Sequence, residues 1–306
     1  MAPLFDNTPD EIIARRKGER VPLLASYGAG LNSTAGLILL AKQGDMPDAI
    51  LFADTGSEKD ATYRYLELFR EWCKTNGLPE IITVTYNVDH SRQKSEQKYS
   101  TLEESCLVHK CLPSIAYYRR SCSIKWKHSP QEKWANDWSE ANKRWQSGGH
   151  VVKAIFYDAD EPERIKKHRD EKYAYWHPLA DINIGRDECE RIVRDAGLPI
   201  PPKSSCFFCP EMTVAEIADL ERTEPHNLAK ALAMEANADL TSIKGLGKHE
   251  YSWREMVESR YTLTVVQEKK MPCMCYDGGG LYQEETTSAD DDSDIGEPVG
   301  STQAVS

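Results

Sequence analysis

The stretch Leu23 to Ser33, LLASYGAGLNS, joins an apolar run, a glycine-rich turn and the start of a helical pattern. Gly28 and Gly30 have no Cβ, so backbone amides in the turn can approach an anion closely. The helix that follows would add its free N–H groups and the positive end of its dipole. The polar side chains beside the turn that could contact such a ligand are Ser26, Asn32, Ser33 and Thr34. The pattern predicts a phosphate-binding turn. A purely structural turn is an equal alternative, because neither GxxxxGKS/T nor GxGxxG is present.

An acidic residue, Asp54, ends a second apolar run, AILFADTG, in which Thr55 and Gly56 follow it. Ligands of open α/β sheets bind at the carboxyl edge of the strands, so we expect Asp54 to face a nucleotide or its Mg²⁺. The other acidic residues that could share this role are Glu58, Asp158 and Asp160. Acidic residues at strand ends also cap helices or form turns, which is an alternative of similar weight.

The spacing of the cysteines is the main indication of a metal site. Cys206 and Cys209 are separated by two residues and followed by a proline, a spacing that can hold one metal ion or two corners of an iron–sulfur cluster. A packed pair of thiols and a redox dithiol are the alternatives. The candidates for the remaining ligands are Cys122 and one of Cys273 or Cys275, and ligation by thiolates alone suits a 4Fe–4S cluster or zinc.

The composition is that of a globular protein with a full core, because 40% of the 306 residues are hydrophobic and 28% are charged. No apolar run is long enough to cross a bilayer and the N-terminus has no signal-peptide pattern, so we expect a cytoplasmic protein with no membrane partner. The nine cysteines are then expected to be reduced. Seven acids between Glu284 and Glu297 dominate the net charge of −11, so no strongly basic face for loose nucleic-acid binding is implied.

The elements that would position these residues alternate between strands and helices. Apolar runs at 22–27, 49–53 and 80–85 enclose helical patterns at 33–43 and 59–76. This βαβαβ order predicts an α/β fold with a doubly wound, mostly parallel sheet and a helical C-terminal part. The predicted divisions are an N-terminal helix at 1–20, a nucleotide-binding α/β domain at 21–200, a cysteine-containing helical region at 201–282 and a disordered acidic tail at 283–306.

Further elements follow from the same patterns. The N-terminal helix is predicted at 8–17, with Thr8 as a cap and Pro9 in the first position. One Trp-rich helix is predicted at 130–145 and an apolar strand at 151–157. A helix is predicted at 186–196, and the chain from 210 to about 258 has a helical pattern.

Four segments carry a resemblance to a known family: GAGLNS at 28–33, FADTG at 52–56, SCSIKWK at 121–127 and GLPIPPKSSCFFCP at 197–210. They resemble motifs of the PP-loop ATP pyrophosphatases (adenine nucleotide alpha-hydrolases), specifically the phosphoadenosine phosphosulfate (PAPS) reductase-like branch. The loop departs from the family's SGGxDS pattern at three positions. Gly28 replaces the first Ser, Ala29 replaces a Gly, and Asn32 replaces the Asp that can help with magnesium.

The resemblance implies that ATP and Mg²⁺ bind on the loop from Gly28 to Thr34. It implies adenylation of an acceptor oxygen with release of pyrophosphate, followed by attack of a nucleophile, often sulfur. Lys125 is implied as a catalytic residue, because the family often has a lysine after this cysteine, and Cys122 is implied near the active-site mouth. A 4Fe–4S cluster is favoured over zinc because some relatives that move sulfur carry one. Since Asn32 has no charge, another residue must supply the acidic group that helps to bind magnesium, or the chemistry is altered.

Two other functions stay open. A PAPS or APS reductase would need a mobile C-terminal nucleophilic cysteine, but the family's usual ECGIH end is absent and no cysteine follows Cys275. A non-catalytic, metal-stapled protein that binds a nucleotide or a nucleic acid is the second alternative, in which Ala29 and Asn32 would mark a lost reaction. The expected partners are an adenine nucleotide and an acceptor, which is left open between a small molecule, tRNA and DNA. A homodimer is also left open.

Overall fold

One sheet of five parallel strands organises the chain. The structure is a computed structural model that describes residues 8–87, 98–119, 121–165 and 168–262. Its strands are β1 (Leu23–Tyr27), β2 (Ala49–Asp54), β3 (Ile81–Thr85), β4 (Val151–Ala154) and β5 (Tyr173–Trp176). They lie in the order β3-β2-β1-β4-β5, and every neighbouring pair is parallel. The predicted α/β fold with a doubly wound sheet is confirmed.

The chain divides into two compact units. Among the described residues, the first comprises 8–86, 123–165 and 168–206, and the second comprises 87, 98–119, 121–122 and 207–262. The helices of the first unit are α1 (Asp10–Arg16), α2 (Leu31–Gln43), α3 (Asp60–Thr75), α6 (Ser129–Asp137), α7 (Ser139–Gln146), α8 (Pro178–Asp181) and α9 (Arg186–Asp195). Those of the second unit are α4 (Leu102–Val108), α10 (Val214–Thr223), α11 (Pro225–Asn237) and α12 (Trp253–Glu258). A short helix, α5 (Ser121–Ser123), runs into a π-helical turn at Ile124–His128. The predicted divisions at residues 20, 200 and 282 stay predictions.

Both faces of the sheet carry helices. One core contains Leu37 of α2 and Val193 of α9, and the core on the opposite face contains Ala135 of α6 and Ala141 of α7. All residues of β1, β4 and β5 are buried, and so are the first five residues of β2. Strands buried on both faces need continuous apolar runs instead of alternation, and such runs predicted β1 and β2.

Three predictions of secondary structure differ from the structure. The predicted helix at 130–145 is two helices, α6 and α7, because Trp138 has an extended backbone (ψ 115°) between them. The predicted strand at 151–157 ends at Ala154, although the chain stays buried as far as Asp158. Strand β5 was not predicted, because four residues are too few to give a periodic pattern.

The N-terminal helix is confirmed as α1, but Thr8 does not cap it. The Thr8 hydroxyl donates a hydrogen bond to Asp181 Oδ2 at 3.1 Å, and Pro9 is the N-cap residue. The Thr8 side chain is thus hydrogen-bonded to a residue distant in sequence, Asp181, and not to the backbone of the first helical turn.

The helical pattern from 210 to 258 becomes three helices, α10, α11 and α12. Two of them begin with a capping box, Thr213 with Glu216 and Ser252 with Glu255, in which each side chain bonds the other residue's backbone N–H. Across the described ranges, no helix is long and apolar enough to cross a membrane.

Candidate functional site

The glycine-rich turn connects β1 to α2 within three residues. Ala29 has a left-handed backbone (φ 54°), and Gly30 is the extended N-cap residue of the 13-residue helix α2, without a side-chain cap. Ser33 Oγ accepts a hydrogen bond from Gly28 N and donates one to Gly30 O, both at 3.2 Å. The first N–H groups of a helix have no partner within the helix, and the dipole adds positive charge there. The turn could therefore bind an anion through these N–H groups.

The backbone of Gly30 (φ −109°, ψ 178°) is extended and suits any residue. A glycine at this position therefore matters because it has no side chain, which lets neighbouring groups approach the turn closely. A Cβ at Gly30 would lie 3.0 Å from Ser204 Oγ. The KSS part of the segment 197–210 therefore lies directly against the turn. Two segments that the sequence singled out separately meet at this point.

Asn32 stands where the loop pattern that it resembles has an aspartate, and its side chain is hydrogen-bonded to an acidic residue. Its Nδ2 donates to Asp158 Oδ2 at 2.7 Å. A carboxylate only accepts hydrogen bonds, so the amide nitrogen of Asn32 must face Asp158. Asn32 Oδ1 is buried and has no hydrogen-bond partner among the described residues. A carboxylate from the segment that follows β4 thus lies beside the turn.

Asp158 is 2% exposed. Its Oδ1 accepts a hydrogen bond from Asp160 N at 3.1 Å, and no Lys, Arg or His in the described ranges forms an ion pair with it. Burial raises the pKa of the Asp158 carboxyl, and the nearby charge of Glu161 raises it further. A buried carboxylate without a cation is costly, so Asp158 is suited to a ligand that brings positive charge.

Asp54, the expected strand-end acid, stands in a tight turn. Its Oδ1 accepts hydrogen bonds from Gly56 N at 2.8 Å and from Tyr63 Oη at 2.7 Å. Gly56 has a left-handed backbone (φ 68°), which explains the glycine of FADTG. Burial and the bond to Asp54 raise the pKa of Tyr63, so Tyr63 remains a donor. Asp54 therefore stabilises the turn, which was the alternative to a ligand-binding role, and its Oδ1 accepts both hydrogen bonds.

A second buried acid, Glu58, follows the FADTG turn. Its Oε1 lies 2.8 Å from Lys127 Nζ and accepts a hydrogen bond from Thr55 Oγ1 at 3.2 Å. Cys206 Sγ lies 3.4 Å from Thr55 Oγ1 and 3.8 Å from the same carboxylate oxygen. Glu58 Oε2 is buried and has no hydrogen-bond partner within the described ranges. The positive charge of Lys127 thus balances the negative charge of Glu58, and Glu58 Oε2 is available to accept a hydrogen bond.

Several predicted ligand side chains are bonded within the protein. Ser26 Oγ donates to Gln131 Oε1 at 3.0 Å, and Gln131 Nε2 donates to the carbonyl of Lys127 at 3.2 Å. Thr34 Oγ1 lies 3.4 Å from Tyr27 Oη. The Ser26 bonds therefore link β1 to α6 and the π-helical turn, and the Thr34 contact links α2 to β1.

Lys125 and Lys127 differ in environment, although both lie in SCSIKWK. Lys125 Nζ lies over the ring of Tyr86, 5.2 Å from its centroid. Lys127 Nζ pairs with Glu58. The sequence selected Lys125 as the catalytic candidate, and that role stays a prediction. The contact of Lys127 could not be found from a local pattern, because Glu58 belongs to a distant segment.

The predicted cysteine site stays a prediction. Cys206 belongs to the first unit, Cys122 and Cys209 belong to the second unit, and Cys273 lies outside the described residues. Across the ranges that the structure describes, no group of three or more His, Cys, Asp or Glu side chains could hold a metal ion.

Two solved structures are similar in fold to this chain. One is PAPS reductase from Candida auris in a phosphate complex, with 14% identity and a TM-score of 0.40 over 63% of this chain and 82% of that chain. The other is the U34-tRNA thiolase NcsA from Methanococcus maripaludis with its 4Fe–4S cluster, with 12% identity and a TM-score of 0.36 over 81% of this chain and 83% of that chain. At this identity the similarity is one of fold alone.

No protein-family model matches the sequence, and no curated protein matches it significantly.

Proposed function

We propose that this chain is an ATP-binding enzyme of the PAPS reductase-like PP-loop type, which adenylates an acceptor and releases pyrophosphate. The reaction would serve sulfur transfer or the modification of a nucleotide or nucleic acid. One observation carries the proposal: the uncapped turn after β1 and Asp158 after β4 meet where the strand order changes direction. Ligands of doubly wound folds bind in the crevice at this switch point.

The residues around the turn fit Mg²⁺ with a polyphosphate. Mg²⁺ prefers oxygen ligands, and Asp158 together with the unpartnered Oδ1 of Asn32 would supply them. Bound Mg²⁺ would neutralise charge on the phosphates. In this proposal, Asn32 orients Asp158, and Asp158 replaces the acid that the loop lacks.

The reacting groups follow from the same arrangement. The N–H groups of the turn and of the first turn of α2 would hold the phosphates. An acceptor oxygen would attack the α-phosphorus, and the bond to the leaving pyrophosphate would break. Positioning and charge neutralisation would supply most of the rate, as in other phosphoryl-type transfers.

A thiolate-bound 4Fe–4S cluster, or zinc, remains part of the proposal. Its support is the two-residue spacing of Cys206 and Cys209. Iron, sulfide and zinc contents of anaerobically purified protein measure this part independently of the nucleotide site.

Calorimetry with ATP and Mg²⁺ on Gly30 variants tests the nucleotide site. We expect Gly30→Val to weaken ATP binding at least about tenfold, because the side chain obstructs the turn amides. The extended backbone of Gly30 accepts valine, so we expect the melting temperature to stay close to that of the wild type.

The control adds Ser204→Ala to Gly30→Val, because Ser204 is the residue that a Cβ would crowd. If crowding of Ser204 alone caused the loss, the double variant would recover wild-type affinity. That recovery, or equal ATP binding by the wild type and Gly30→Val, would overturn the proposed nucleotide site.

A further inference from the structure

Helix α4 in the second unit ends in a Schellman motif. The N–H of Cys111 bonds the carbonyl of Cys106 at 3.0 Å, and the N–H of Lys110 bonds the carbonyl of Leu107 at 3.2 Å. Lys110 has the left-handed backbone that this motif requires (φ 48°). The side chains at the first and last positions of a Schellman motif frequently contact each other. Here both positions are cysteines, and a side-chain hydrogen bond joins them.

The two thiols of this Cys106–Cys111 pair differ in exposure and in acidity. Cys106 is 3% exposed, whereas Cys111 is half-buried, and neither forms a disulfide. A hydrogen bond from the Cys106 side chain lowers the pKa of Cys111, although burial acts in the opposite direction. An accessible thiol with a lowered pKa beside a buried second thiol is the arrangement of reactive and resolving cysteines.

The rest of the second unit holds the motif in place. Asp239 N donates to the carbonyl of Lys110 at 2.8 Å, and Asn237 Nδ2 donates to the carbonyl of Leu107 at 2.9 Å. At the other end of α4, Thr101 and Glu104 form a capping box. The folded chain has therefore already lost the entropy of bringing the two cysteines together, which would favour a bond between them.

We propose that Cys106 and Cys111 form a redox-active dithiol whose substrate is a low-molecular-weight disulfide, with Cys111 as the attacking thiol and Cys106 as the resolving thiol. Both residues of this pair belong to the second unit, whereas the proposed nucleotide site consists of residues of the first unit.

The exchange takes place in two balanced steps. The Cys111 thiolate attacks one sulfur of the external disulfide, a mixed disulfide forms, and the other half leaves as a thiolate. The Cys106 thiolate then attacks Cys111 Sγ, the Cys106–Cys111 bond forms, and the second external thiolate leaves. The two cysteines lose two electrons and two protons, which the external disulfide takes up as two thiols.

Two other cysteines of the chain serve as internal controls. Burial raises the pKa of Cys73 and that of Cys189 to about 12. Thiols of that kind are almost entirely protonated at neutral pH and react slowly with disulfides. A disulfide reagent should therefore leave them reduced in the folded protein.

The test is thiol–disulfide equilibration of the full chain with oxidised and reduced glutathione, followed by alkylation and tryptic mass spectrometry. Trypsin cuts after Lys98, Lys110 and Arg119, so Cys106 and Cys111 fall on separate peptides, 99–110 and 111–119. We expect these two peptides to become linked as the proportion of oxidised glutathione rises, and to separate again with dithiothreitol.

Single variants assign the two roles. With Cys106→Ser, Cys111 should keep a stable glutathione adduct, because no resolving thiol remains. With Cys111→Ser, Cys106 should stay unmodified, and Cys189→Ser should leave the linked peptides unchanged. The absence of linked peptides at every glutathione ratio would overturn the proposal. So would reaction of Cys111 in the Cys106→Ser variant no faster than that of Cys73.

Discussion

Two acidic side chains lie next to β4, and they differ in how their charge is balanced. Glu132 of α6 has a partner on each oxygen: Lys153 Nζ at 2.6 Å from Oε1 and Tyr173 Oη at 2.9 Å from Oε2. Burial alone would raise the pKa of Glu132, but Lys153, His128 and Tyr173 together outweigh burial and the pKa is lowered. Asp158 has an amide and a backbone N–H as partners, and its pKa is raised.

The difference separates a cluster that is charge-balanced within the protein from the proposed binding site. The Glu132 cluster is complete without a ligand, because Lys153 is fully buried and neutralises it within the core. The Asp158 site lacks a counter-charge from the described residues, and unbalanced buried acids cluster at functional sites. Substitutions in the two clusters should therefore affect different properties, stability in one and ligand binding in the other.

The largest expected effect is the loss of stability in Lys153→Met. Methionine keeps the length of the side chain but leaves Glu132 without its cation, and breaking one half of a buried pair costs about 3 kcal/mol or more. Urea denaturation measures the free energy of unfolding. We expect ATP affinity of the folded variant to stay within about twofold of the wild type.

The control combines Lys153→Met with Glu132→Gln, which removes the uncompensated charge and should recover part of the loss. If Lys153→Met weakened ATP binding tenfold and left stability intact, the cluster would belong to the binding site.

Asp158→Asn should have the opposite result. The side-chain oxygen of asparagine can still accept the hydrogen bond from Asn32, so we expect the free energy of unfolding to change by less than about 1 kcal/mol at pH 7. Loss of the charge should weaken Mg²⁺-dependent ATP binding at least about tenfold, or about 1.4 kcal/mol. Calorimetric titrations of ATP at several Mg²⁺ concentrations measure the effect.

Glu190→Gln is the matched control, because it removes an acid of α9 that already pairs with Arg194 at 3.0 Å. Its Mg²⁺ dependence should equal that of the wild type. Identical Mg²⁺ dependence in the wild type and in Asp158→Asn would contradict a metal role for Asp158.

The smallest expected effect is a pH dependence of stability. The folded chain holds a proton on Asp158 at pH values where the unfolded chain has released it, because the pKa is raised above the ordinary 3.8. The free energy of unfolding should therefore fall as the pH rises from 3.8 through the raised pKa of Asp158. Each pKa unit of the shift contributes about 1.4 kcal/mol.

Urea denaturation of the wild type and of Asp158→Asn over about pH 3.5 to 7 isolates this contribution, because other groups cancel in the difference. The wild type should lose stability relative to the variant as the pH rises. A difference that stays constant over the range would show that Asp158 has an ordinary pKa.

Local patterns predicted much of the framework. The apolar runs predicted β1 and β2 because both faces of these strands are buried. The turn chemistry of FADTG was also visible, since an acid two residues before a glycine commonly forms such a turn. The Cys106–Cys111 pair was not predicted, although it is local, because its geometry depends on where α4 ends.

The sequence by itself determined the parallel α/β class, the glycine-rich turn and the acid that ends β2, because these depend on neighbouring residues. Only the tertiary structure decided which acid lies beside the turn. Asn32 meets Asp158 across 126 residues because β4 pairs with β1 in the sheet. Lys127 meets Glu58 by a similar long-range contact. Strand order decides which distant side chains become neighbours, and a local periodicity carries no information about that order.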